Sequence, residues 1–111
     1  MPESASFGAL KELYFSLDRN FARLFAACQT NEQRDQLRRD YATARDNFQR
    51  AVNLVFQENN DAVKSLTTEL SAAQSDINRA LENLQDIAAL LQMIAKTVQV
   101  GSSLVALGAA V

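Results

Sequence analysis

The sequence predicts an all-α protein, either a long antiparallel helical hairpin or a three-helix, coiled-coil-like bundle. Three observations lead there. Between Val63 and Gly108, apolar or small residues alternate in spacings of three and four without interruption, the pattern by which helices wrap along one another. Punctuation is scarce, with one proline and three glycines in 111 residues. Apolar residues make up 48% and charged residues 22%, with a formal net charge of −2, a balance that favours a folded chain over a disordered one. Residues 1–111 read as a single domain by length.

The first helix is expected over about 5–29. Ser4 or Ser6 offers an N-cap, and Phe7, Leu10, Tyr14, Leu17, Phe21, Leu24 and Cys28 form its seam. Phe15, Phe25 and several alanines widen that face beyond what one partner helix can cover. Gln29 to Gln33 interrupts the pattern, and Thr30 with Gln33 fits a capping box. A second helix follows over about 31–58, with Leu37, Tyr41, Ala44, Phe48, Ala51 and Val55 as its seam and an arginine-rich opposite face.

Glu58-Asn59-Asn60-Asp61 is a turn and N-cap cluster, so the chain should reverse there. A third helix over about 61–107 would be roughly 70 Å long. Its seam comprises Val63, Leu70, Ile77, Leu84, Leu91, Val98 and Val105, with Leu66, Ala73, Ala80, Ile87, Ile94, Gly101 and Gly108 as the second series. Its character changes midway, because Lys96 is the only charged residue after Asp86. Composition favours running the first two helices roughly end to end, bent at Thr30, with the third folded back along both. The arginine-bearing second helix would then lie beside 61–86, and the aromatic first helix beside 87–107. Residues 1–57 sum to +1 and residues 58–111 to −3, which suits that pairing.

Chemistry has little to stand on. The chain has no histidine, the commonest general base near neutral pH. Three glycines, at 8, 101 and 108, give no phosphate-cradling loop, and no Cys-x-x-Cys or His-Glu-x-x-His pattern occurs. A non-enzymatic protein without cofactor or metal is expected. One cysteine, Cys28, allows no internal disulfide and reads as a small core residue. The arginines at 34, 38, 39, 45 and 50 are interleaved with acids, so nucleic acid is not an expected partner.

The expected function is protein interaction, by self-assembly or with a cognate protein. The surface would be an apolar end formed by the first helix and the C-terminal half of the third. Phe15, Phe25, Leu90, Met93, Val100, Leu104 and Leu107 fall outside the seams and are the expected interface residues. The alternative is a membrane-active protein, a subunit of a pore-forming or membrane-associating assembly, using the apolar segment 87–111. That segment has the length to cross a bilayer but carries Gln92, Lys96, Thr97 and Gln99, and no aromatic or basic anchor follows it. The opening residues lack a basic and apolar signal pattern, so a cytoplasmic location is expected. Membrane association or signal-independent export are the alternatives.

Overall fold

A computed structural model describes residues 4–109. Among them are four α-helices: α1 Ala5–Ala27, α2 Asn31–Ala51, α3 Asp61–Glu82 and α4 Ile87–Ala109. They form a bundle measuring 41 × 23 × 22 Å. α1 packs against α2 and α3, and α4 packs against the same two helices. α1 and α4 meet only across the diagonal, while α2 and α3 do not pack together. The fold is therefore two antiparallel hairpins, α1–α2 and α3–α4, laid side by side and joined by the segment 52–60.

The helix starts are set by side-chain caps that satisfy otherwise unpaired N–H groups. Ser4 accepts from the Phe7 amide at 3.0 Å. Thr30 accepts from the Gln33 amide at 3.1 Å, and Gln33 Oε1 reaches back to the Gln29 amide at 2.6 Å. The Asn60 side chain accepts from the amides of both Ala62 and Val63.

Three expectations need correction. The break at Thr30 is a full reversal and not a bend, so α1 and α2 lie antiparallel. The expected second helix over 31–58 ends at Ala51. Beyond that point it would project past the end of its neighbours, and the chain instead turns so that Phe56 packs beneath the bundle, 6% exposed. The expected single helix over 61–107 is two helices separated at 83–86. Asn83 closes α3, and Asp86 opens α4 by accepting from the Ala89 amide at 3.1 Å. A continuous helix would have carried residues 87–107 away from the core. Folding back buries Ile87, Leu90, Leu91, Ile94, Val98, Leu104 and Val105.

Helix neighbours also differ from the expected like-with-like pairing, since α2 lies beside α4 and α1 beside α3. The seam residues nevertheless point inward across the break. Val63, Leu70, Ile77, Leu91, Val98 and Val105 are all buried, and Leu84 in the turn is half-buried. The second series divides. Ile87, Ile94, Gly101 and Gly108 are buried in α4, whereas Leu66, Ala73 and Ala80 of α3 are half-buried, the first two beside α4. The inward positions of α3 are instead Thr67, Gln74 and Leu81. A helix flanked by two neighbours in a square bundle buries a broader stripe than a two-helix seam requires.

The seams between the hairpins carry polar pairs. Ser6 and Thr67 share a buried hydroxyl contact at 2.8 Å, joining α1 to α3. Asn47 donates to Ser102 at 3.0 Å, joining α2 to α4. Gln74 donates to Asn78 at 2.9 Å, while its own carbonyl oxygen is buried without a partner. Asp40, 7% exposed, accepts both of its contacts from the Gln36 amide group, at 3.0 and 3.1 Å.

Candidate interaction surface

α1 repeats a ring every seven residues, at Phe7, Tyr14 and Phe21, and α2 does the same at Tyr41 and Phe48. That interval is two helical turns, so each set lines one edge of its helix. Antiparallel pairing brings the two edges together as a band along the outer groove of the hairpin. Phe7 and Phe48 have centroids 5.6 Å apart, Phe48 and Tyr14 5.4 Å, and Tyr14 and Tyr41 5.8 Å. Tyr41 and Phe21 follow at 5.0 Å, then Phe21 and Phe25 at 5.8 Å. Phe15 joins from the solvent side, 5.6 Å from Tyr14 and 5.5 Å from Phe48. These separations fall in the range where ring pairs attract beyond their burial alone.

The band is partly open to water. Phe15 is 37% exposed, and the other six rings are half-buried. Basic side chains lie over three of them: Arg38 at 4.8 Å from the Phe25 centroid, Arg45 at 5.8 Å from Tyr41, and Lys11 at 6.0 Å from Phe15. Tyr41 donates to Asp18 at 2.6 Å, and that bond to a carboxylate drives its pKa upward, holding the phenol protonated.

At one end the band runs into an apolar pocket. A cavity of about 500 Å³ is lined by Ser4, Phe7, Ala51, Val52, Leu54, Val55 and Phe56. At its rim Val52 is 59% exposed and Val55 83%. All eight aromatic residues of the chain thus lie in the α1–α2 band or at the pocket that continues it.

The residues expected at an interface do not gather into one patch. Phe15 and Phe25 belong to the aromatic band. Met93 and Val100 line the outer groove between α3 and α4 on the opposite side, and Leu107 is half-buried near the end of α4. Leu90 and Leu104 are core residues, 2% and 0% exposed. Their apparent surplus came from treating α4 as the arm of a single long helix; α4 faces both α2 and α3, and that width accounts for both.

The sequence pattern identified the rings of both helices but treated them as seam residues or as part of an oversized face. The pocket went unseen because Val52, Leu54 and Phe56 were placed inside a helix. The heptad spacing of Phe7, Tyr14 and Phe21 opposite Tyr41 and Phe48 was the available signal for the band.

α4, with 23 residues and a mean hydropathy of 1.3 over its most apolar stretch, is long and apolar enough to cross a membrane by length and composition. In the bundle Ile87, Leu90, Leu91, Ile94, Val98, Leu104 and Val105 are inward, Met93, Val100 and Leu107 are half-buried, and the exposed positions are Ala88, Ala89, Gln92, Lys96, Gln99, Ser103, Ala106 and Ala109. Cys28 is buried, its thiol directed to the Leu24 carbonyl at 3.3 Å, and burial pushes its pKa up. No family model, curated protein sequence or solved structure matches this chain.

Proposed function

We propose that this protein is a non-enzymatic helical interaction module that binds a protein surface through the aromatic side of its α1–α2 hairpin. The observation that carries the proposal is the gathering of seven of the eight aromatic residues along that side, in a band that runs into the pocket rimmed by the exposed Val52 and Val55. Aromatic residues and arginine are the side chains most enriched at the energetic centres of protein interfaces. Here the two are interleaved, with Arg38 and Arg45 stacked on Phe25 and Tyr41. Large exposed apolar surface on a small soluble fold commonly marks a contact site. A protein partner is favoured over a lipid one because most of the large aliphatic residues of α4 are committed to the bundle core and its exposed positions are alanine or polar.

Site-specific photo-crosslinking in the producing cells tests this. A crosslinking side chain at position 15 or 25 should yield one discrete adduct, either with a second copy or with another protein. The same group at Ser75 or Gln92, in the side grooves, should yield none. Adducts at the side grooves with none at 15 or 25 would refute the aromatic side as the contact surface.

A further inference from the structure

The aromatic side has a counterpart on the same molecule. α1–α2 and α3–α4 are opposite sides of the square bundle, and their charges are opposite as well. Residues 5–51 carry eight basic and six acidic side chains, +2, whereas residues 61–109 carry three basic and five acidic, −2. The groove between α3 and α4 holds two successive hollows. One, of about 290 Å³, is lined by Leu66, Glu69 and Val100 among others. The next, of about 170 Å³, is lined by Ala73, Asp76 and Met93. The first is mainly polar, with Gln99 and Ser103 beside Leu66 and Val100, and the second mainly apolar; each has one carboxylate in its wall, and Lys96 lines both.

The spacing of charges also matches. Arg38 and Arg45 stand seven residues apart on α2, and Glu69 and Asp76 stand seven residues apart on α3. On an α-helix each pair is separated by about 10.5 Å along the axis. One side of the bundle measures about 41 by 23 Å, enough for the ~800 Å² per partner of a standard protein interface. The ion pairs already made by two of these residues, Arg38 with Asp35 and Asp76 with Arg79, are exposed and exchange easily with new partners.

We infer that the occupant of the aromatic side is the α3–α4 groove of a second copy of this chain, so that molecules associate head to tail. Because the two faces are different and lie on opposite sides, the contact does not close on itself and leads to a ring or an open chain. The inference rests on the aromatic side being a contact surface, and it accounts for Phe15, Phe25, Met93 and Val100 standing on two faces: each face supplies half of one interface.

A charge exchange tests it. Arg38→Glu with Arg45→Glu gives one variant, and Glu69→Lys with Asp76→Lys gives another; all four positions are exposed. Wild-type protein should self-associate in dilution-series light scattering at low salt. Each variant alone should associate at least tenfold more weakly while keeping wild-type helical circular dichroism. Mixed one to one, the two should regain association, because both variant faces then meet opposite charge. Monomeric wild type, variants that associate as tightly as wild type, or a mixture that stays monomeric would each overturn the inference. A discrete crosslink from position 15 to a different protein, with monomeric wild type, would sink self-association alone and leave the aromatic contact surface standing.

Discussion

Gly108→Ala offers a sharp test of how the end of the bundle is closed. Gly108 lies in the last turn of α4, and a β-carbon built there would meet Phe56 Cε1 at 2.7 Å and Cδ1 at 3.0 Å. Carbon atoms in good contact are about 3.5–4.0 Å apart, so the ring would have to retreat by about 1 Å. Phe56 is buried at 6% exposure beneath the bundle, with Leu54 also near the new carbon at 3.5 Å. Alanine in place of helical glycine is worth at most ~1 kcal/mol, and less near a fraying end. Overpacking of a closed site costs about 1–3 kcal/mol, so the net effect should be a destabilisation of about 1 kcal/mol or more. Gly101 is the internal comparison. There the added carbon meets Leu10 Cδ2 at 3.2 Å, a shortfall of only a few tenths of an ångström. Gly101→Ala should therefore fall within about 1 kcal/mol of wild type, with the propensity gain offsetting the crowding. Urea unfolding followed by circular dichroism measures both, provided the denaturant slope is unchanged. A Gly108→Ala variant as stable as Gly101→Ala, or more so, would refute the placement of Phe56 against α4.

Three other outcomes follow from the same geometry. Burial raises the pKa of Asp40, outweighing the Gln36 hydrogen bond and the nearby Arg39. A raised acid pKa means the folded state holds its proton more tightly than the unfolded one, so this group's contribution falls as pH rises above the ordinary carboxylate range. Asp40→Asn should accordingly gain stability relative to wild type as pH rises above the ordinary carboxylate range in urea titrations, and a gap that shrinks with rising pH would contradict it. Leu104→Ala should cost about 2–5 kcal/mol of folding stability, against well under that for Val100→Ala at the half-buried groove; equal costs would contradict the assignment of Leu104 to the core. Cys28 should react with a thiol reagent far more slowly than in urea-unfolded protein, and equal rates would show that it is not buried.

Much of the fold was legible in the chain because helix patterning and capping are local properties. Thr30 with Gln33 and the cluster at Asn59-Asn60 marked two of the three chain breaks. The periodicity selects the buried Leu10, Leu17, Leu24, Leu37, Ala44 and Ala51 and the α4 seam, but Phe7, Tyr14, Phe21, Tyr41 and Phe48 of the expected seams lie on the outer groove and Val55 is exposed. The third break was hidden by the heptad itself. A turn of four residues at 83–86, with Leu84 in seam register, lets the apolar repeat pass through unchanged while the helix axis reverses. The visible traces were Asn83 and Asp86, both able to cap, and the loss of charge that begins at Ile87. Once that turn was missed, the neighbours of each helix could not be right, because a square of four and a triangle of three distribute the same seam differently. Leu90 and Leu104 show the consequence, surplus in a long arm and buried in a four-helix bundle. Gly101 and Gly108, small members of the second series, are places of close approach, the first to Leu10 of α1 and the second to the loop residue Phe56. The aromatic band was present as a heptad of rings but indistinguishable from a core seam until the hairpin placed it outside.

If the aromatic side of α1–α2 is a contact surface, a second copy of the chain is its occupant. Light scattering across a dilution series, with wild type beside Phe15→Ala/Phe25→Ala, addresses it most directly. The wild-type mass should rise with concentration above the 12.2 kDa monomer, and the variant should stay at the monomer mass with unchanged helical content. A mass of 12.2 kDa for both at every concentration would contradict it.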